Sequence, residues 1–219
     1  MYHLDKQALF FDFDGVLAET MPYHIPAWNR VLEQHYGFSL NPMTLKLNEG
    51  RPVFEIIRAI FEDAGQYYDA AILNRVITQK NELFRATHNA RVFPEIKEII
   101  GLAKARGLKI GLVTGTRREN IGVIVPDDIL DRFDVIIAEG DSERGKPAPD
   151  PYLAAAEKVG LAPEDCLVIE NAPLGIQAAK SAGMFCFAVK TTLSAEHLAK
   201  ADVTFNNHAD LLHGLKAYI

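Results

Sequence analysis

Cysteine is scarce: Cys166 and Cys186 are the only two in 219 residues, and each lies inside an apolar run. Two separated thiols supply neither a disulfide framework nor a zinc ligand set, and they read as buried thiols of a reducing compartment. Long hydrophobic runs are also missing. The longest uninterrupted one is Met184–Val189, far below the roughly 20 residues a membrane helix needs. The opening Met1-Tyr2-His3-Leu4-Asp5-Lys6 has no basic segment ahead of an apolar one, so no secretory leader is expected. Basic excess is absent too. Lys and Arg number 23 against 29 Asp and Glu, a formal charge of −6, which disfavours a general nucleic-acid binder. A cytoplasmic monomer with no membrane or nucleic-acid partner is the expectation. What is present is ordinary globular composition, 48% hydrophobic and 24% charged, enough for one full core plus a modest insertion.

Short apolar runs recur at Ala8–Phe11, Ile110–Val113, Val135–Ala138, Cys166–Ile169 and Phe185–Val189. They are continuous rather than alternating, as strands buried on both faces of a parallel sheet require. Amphipathic segments separate them. Pro94 opens one, with Ile96, Ile99, Ile100 and Ala103 as its stripe and Gly107 after it; Asp150-Pro151 and Gly160 bound a second, Pro173 and Gly183 a third. Proline just inside and glycine just past a helix is the expected asymmetry. The fold class that follows is α/β, a doubly wound, Rossmann-like parallel sheet.

One stretch breaks this rhythm. About eighty residues between the first strand and Pro94 show no convincing strand and read as helices over Tyr23–Tyr36, Val53–Ala64 and Asp69–Arg85. A parallel crossover needs only one helix. Residues 20–88 therefore read as a small all-helical cap inserted after the first strand, over the carboxyl edge of a core made of 1–19 and 89–219. Hinges are expected near Glu19-Thr20 and His88-Asn89-Ala90.

Ligands of open α/β sheets gather outside the carboxyl ends of the strands. There the sequence places Asp12-Phe13-Asp14-Gly15, Thr114-Gly115-Thr116, Gly145-Lys146-Pro147 and Glu170-Asn171. Carboxylates, a hydroxyl and a lysine from four loops suit a magnesium ion and a phosphoryl group. Asp12 and Asp14, two apart in extended chain, share a face with Phe13 turned inward. A hard cation relieves the repulsion between them. Thr114 can donate to a phosphoryl oxygen, and Lys146 is a point positive charge.

Phe11-Asp12-Phe13-Asp14-Gly15-Val16-Leu17, Val113-Thr114-Gly115-Thr116, Gly145-Lys146-Pro147 and Glu170-Asn171-Ala172-Pro173 resemble, in order, the four motifs of the haloacid dehalogenase (HAD) superfamily. The resemblance covers nearly the whole chain. The cap is similar to that of the helical-cap branch containing β-phosphoglucomutase and sugar-phosphate phosphatases. The resemblance implies a phosphatase acting on a small phosphorylated metabolite. Asp12 would be the nucleophile, Asp14 the general acid and base, and Thr114 and Lys146 the phosphoryl holders, with Gly115 and Thr116 beside the substrate. Magnesium would bind Asp12, the backbone carbonyl of Asp14, and Glu170 directly or through water.

Some positions depart from the pattern or read two ways. The branch usually has Glu-Asp where this chain has Glu170-Asn171, so one negative charge is lost. Asn171 reads either as an amide ligand of the metal or as an N-cap before Ala172-Pro173. His24 and Trp28 resemble a cap pair near the active site, although Trp28 also reads as core. Lys80-Asn81 resembles a pair facing the phosphate site, and Lys80 reads also as a solvated helix lysine. Arg51 after Gly50 suits an anionic substrate or plain solvent, and Arg117 and Arg118 a second phosphate or water. Two other readings stay open: a hexose-phosphate mutase, and a binding protein with a weakened metal site.

Overall fold

A computed structural model describes residues 4–219; residues 1–3, where the segment read for a leader begins, lie outside the described residues. The strands are β1 (Ala8–Phe11), β2 (Lys109–Val113), β3 (Val135–Ile137), β4 (Cys166–Glu170), β5 (Phe185–Val189) and β6 (Val203–Phe205). They form one parallel sheet in the order β3-β2-β1-β4-β5-β6. All four residues of β1 are fully buried. Leu9 and Phe11 point into one apolar layer, and Ala8 and Phe10 into the other, which is why that run shows no polar alternation.

The core helices are α5 (Ile96–Ala105), α6 (Arg118–Ile124), α7 (Asp127–Leu130), α8 (Asp150–Val159), α9 (Pro173–Ser181) and α10 (His208–Tyr218). Ile96, Ile99, Ile100 and Ala103 do form the buried stripe of α5, though that helix begins two residues past Pro94. Gly160 ends α8 in the left-handed conformation, φ 72°, which glycine adopts without a steric cost.

The inserted cap consists of α1 (Met21–Tyr36), α2 (Pro42–Leu47), α3 (Val53–Asp63) and α4 (Ala70–Thr87). It has an apolar centre of its own, built on Trp28, Leu32, Ile57, Ile60, Phe61 and Val76. The two segments joining cap to core run side by side. Glu19 N–H donates to Arg91 O at 2.9 Å and Phe93 N–H to Leu17 O at 3.0 Å. Sheet order turns between β1 and β4, and there the first and fourth motif loops emerge together, under the cap. No helix among the described residues is long and apolar enough to cross a membrane.

Candidate active site

β1 ends at Phe11, and the next turn sends Phe13 into the core while Asp12 and Asp14 line a cavity between core and cap. Gly15 makes the turn with φ +79°, and a Cβ there would sit 2.2 Å from Asn171 Nδ2. Glycine is required both for the backbone angle and for the fit.

Lys146 is the hub. Its side chain is almost wholly buried, and its ammonium donates to Asp12 Oδ1 at 2.6 Å, Glu170 Oε1 at 2.7 Å and the Val113 carbonyl at 3.0 Å. Burial disfavours the ammonium, but Asp12 and Glu170 outweigh it and raise Lys146 above its ordinary value. Glu170 has every acceptor position engaged. Oε1 also takes the Tyr152 hydroxyl at 2.8 Å, and Oε2 takes the backbone N–H groups of Asn171 and Ala172. A carboxylate offers about four such positions, so Glu170 anchors the lysine and has none to spare. Burial, with the Glu170 charge adding, pushes Asp12 above its ordinary value, and Lys146 opposes the rise.

Asp14 sits in the opposite electrostatic situation. Burial would raise it, but His24 at 3.2 Å and the Thr20 and Thr116 hydroxyls at 2.6 and 2.7 Å hold it down to about 2. Lys80 Nζ lies 2.9 Å from His24 Nδ1. An ammonium can only donate, so Nδ1 accepts and Nε2–H points at Asp14. Burial and the Lys80 charge keep His24 below its ordinary value, as this neutral tautomer requires. The ring also stacks on Phe84, with centroids 4.3 Å apart. The Thr114 hydroxyl accepts from Thr116 N–H at 3.0 Å, which leaves its hydrogen to donate elsewhere.

The cavity is lined by Asp12, Asp14, Thr114, Gly115 and Thr116 of the core and by His24, Trp28, Gly50, Arg51 and Lys80 of the cap. Lys146, Glu170 and Asn171 are not on its wall but are buried behind it. Trp28 serves both readings: it is 2% exposed in the cap core, yet its ring meets the Lys80 ammonium at 4.9 Å. Arg51 reaches the cavity and lies 3.6 Å from Glu55. Arg117 lines the cavity and pairs with Glu139 at 2.8 Å, and Arg118 pairs with Asp141 at 2.7 Å.

The N-cap reading of Asn171 is corrected. Ala172 occupies the cap position of α9 and no side chain caps that helix. Asn171 Nδ2 instead donates to Glu49 Oε1 at 3.3 Å and Thr192 Oγ1 at 3.1 Å, while Oδ1 is buried without a partner. Glu49, which the sequence reading passed over, is 6% exposed, lines the cavity and has its own Oε2 unpartnered. Its only signal in the sequence is the neighbouring Gly50-Arg51. Tyr152, Thr20 and Thr192 were passed over as well.

Among the described residues no three His, Cys, Asp or Glu side chains surround one point as a metal set. The unpartnered Asn171 Oδ1, and the Asp12 carboxylate raised by burial and by the Glu170 charge, both fit an oxygen-seeking cation such as magnesium.

Residues 6–183 match the family model described as haloacid dehalogenase-like hydrolase. The chain is 30% identical over 212 residues to β-phosphoglucomutase of Bacillus subtilis, covering 94% of this chain and 91% of that one. It is 32% identical over 179 residues to fructose-1-phosphate phosphatase YqaB of Escherichia coli, covering 80% and 92%. Among solved structures, β-phosphoglucomutase from Clostridium difficile superposes with a TM-score of 0.83 at 26% identity, covering 97% of this chain and 96% of that chain.

Proposed function

The chain belongs to the haloacid dehalogenase-like hydrolases, and from that premise we propose that it is a magnesium-dependent phosphatase of a small phosphomonoester, through a phosphorylated Asp12. Sugar phosphates are the favoured substrate class. The observation that carries this reading is the Lys146 ammonium, 2.6 Å from Asp12 Oδ1 at a cavity that Thr114 also lines. Lys146 keeps Asp12 oriented and offsets charge on the entering phosphoryl oxygens, and Thr114 donates its hydroxyl to one of them. Asp12 attacks phosphorus as the ester P–O bond breaks, and Asp14 gives a proton to the leaving alcohol oxygen. Asp14 is a carboxylate in the empty site, and the charge of an arriving phosphoryl dianion raises its proton affinity. In the second half Asp14 takes a proton from water, which attacks phosphorus and releases the Asp12 carboxylate and inorganic phosphate.

Bound magnesium supplies positive charge against the repulsion between Asp12 and the phosphoryl oxygens; Asp12, the Asp14 carbonyl and Asn171 would hold it, while Glu170, its acceptor positions engaged, anchors Lys146 instead. His24 fixes the Asp14 carboxylate, and Lys80 fixes His24. Closure of the cap excludes water during transfer. The exposed bonds from Arg85 to Asn120 and Glu119, at 2.9 and 2.6 Å, tie α4 of the cap to α6 of the core in that closed arrangement. Asp12→Asn should stay folded and lose essentially all release of phosphate from p-nitrophenyl phosphate and from a panel of phosphorylated sugars. Retained turnover would overturn the assignment of the nucleophile.

The His24–Asp14 contact favours one second reading, a hexose-phosphate mutase. Against it, the arginine that the resemblance to β-phosphoglucomutase implies three residues past the cap glycine is Val53 here. Incubating β-glucose 1-phosphate with a trace of the bisphosphate separates the two: glucose 6-phosphate supports the mutase, free phosphate the phosphatase. A purely binding role does not fit a chain of this hydrolase family whose Asp12 and Lys146 are in register for transfer.

A further inference from the structure

Glu49 is not used by the mechanism above, yet it is a buried cap carboxylate that lines the cavity with Asp12 and Asp14. It sits near the start of the short loop between α2 and α3, whose Gly50 and Pro52 rest directly on the core. A Cβ on Gly115 would come 2.9 Å from Gly50 O, and one on Gly145 2.6 Å from Pro52 Cδ. From that loop Glu49 Oε1 accepts from Asn171 Nδ2 at 3.3 Å. The other oxygen of each group, Glu49 Oε2 and Asn171 Oδ1, is buried with no donor. Asp12 and Asp14 line the same cavity. Glu49 is close enough to them and to Glu170 for all three charges to push its proton affinity up, on top of burial. Lys146 is the buried cation of this cluster, and its donors go to Asp12, Glu170 and a backbone carbonyl.

We infer that Glu49 is a ligand of the magnesium site supplied by the cap, set opposite Asn171, so that the ion is fully coordinated only when the cap is closed. This rests on the phosphatase reading for the presence of magnesium. It accounts for the carboxylate missing at position 171: the charge lost from the core at Asn171 is returned from the cap at Glu49. With the acceptor positions of Glu170 engaged, the available oxygens are those of Asp12, the Asp14 carbonyl, Asn171 and Glu49. That mixture of one or two carboxylates with neutral oxygens and water suits magnesium's octahedral preference. Because Glu49 and Asn171 belong to different lobes, cation binding and cap closure are thermodynamically linked.

The test is calorimetric titration of Mn2+ into the metal-free full-length protein. Glu49→Gln should bind Mn2+ at least about tenfold more weakly, since even outer partners of metal ligands cost 10–100-fold. Its metal-free melting temperature should not fall, because the amide gives the orphaned Asn171 oxygen a donor. Glu49→Gln combined with Asn171→Asp should recover part of the lost affinity, a rescue that a merely structural glutamate would not give. Glu49→Asp, which keeps the charge but retracts it, should fall between wild type and Glu49→Gln. Equal Mn2+ affinity in wild type and Glu49→Gln, or no recovery in the double variant, overturns the inference. If the phosphatase reading alone is wrong, wild type releases no phosphate from any phosphomonoester while the Glu49 effect on Mn2+ persists.

Discussion

Alanine at Gly175 should destabilise this protein although it replaces a helical glycine. Gly175 lies in the first turn of α9, where alanine is ordinarily favoured by up to about 1 kcal/mol. Here a Cβ would stand 1.8 Å from Glu170 Oε1 and 2.1 Å from Glu170 Cδ. The carboxylate cannot swing aside freely, because Lys146, Tyr152 and the Asn171 N–H hold it at 2.7, 2.8 and 3.0 Å. Displacing it leaves a buried ammonium short of one partner, a loss of about 3–5 kcal/mol. Net destabilisation should therefore be about 2–4 kcal/mol, or roughly 4–15 °C in melting temperature for a chain of this size. Thermal unfolding with chelator present keeps metal binding from masking the effect. Gly101→Ala is the internal control, since it lies in α5 and nothing stands within 4 Å of its would-be Cβ. It should gain up to about 1 kcal/mol. If Gly175→Ala matches or exceeds wild type while Gly101→Ala behaves as stated, the lysine-locked carboxylate is not the constraint described here.

Lys146→Met fills a similar volume but leaves Asp12 and Glu170 buried without their ammonium. It should lose about 3–5 kcal/mol in urea unfolding at neutral pH together with measurable turnover; a loss under 1 kcal/mol would contradict the hub. For Asp14, a folded value of about 2 against an ordinary 3.8 means the folded state binds fewer protons between those values. Its stabilisation, about 2 kcal/mol, is present in full above pH 4 and fades as pH falls toward 2. Thr116→Val removes one of the bonds responsible, so the Asp14 carboxyl carbon should titrate at higher pH by NMR, and an unchanged titration would refute the cause given.

Much of this arrangement was legible because its signals are local. Strands buried on both faces leave unbroken apolar runs, and the residues just past their carboxyl ends are where a parallel sheet collects its ligands. Asp12, Thr114, Lys146 and Glu170 are each found that way. Elements with weak local signals escaped. β6, Val203-Thr204-Phe205, is a half-buried three-residue edge strand. α2 has six residues, too few for a helical period, although Asn41 before Pro42 is a proper cap and its side chain does accept from Met43 N–H at 3.0 Å. For Asn171 the same kind of signal misled. Asn-Ala-Pro looks like a cap, but α9 begins one residue too late for Asn171 to serve it.

The residues that the sequence hid share a physical cause: their meaning lies in partners far along the chain. Glu49 looks like any solvated acid in Asn48-Glu49-Gly50-Arg51 until the cap folds it against Asn171, 122 positions away. Once there, Glu49 shares the cavity with Asp12 and Asp14, while buried Lys146 ties Asp12 to Glu170 and buried Lys80 lies beside His24, which burial keeps below its ordinary value. A fold selected only for stability would not gather like charges out of water. The proposed phosphatase reading accounts for it, since there the nucleophile and the acid are both carboxylates within reach of one phosphorus. On that reading the excess of negative charge would itself draw in a divalent cation. If the inference about Glu49 holds, a carboxylate carried on the cap gives that force a second effect, since the ion that quiets the repulsion would also hold the two lobes together.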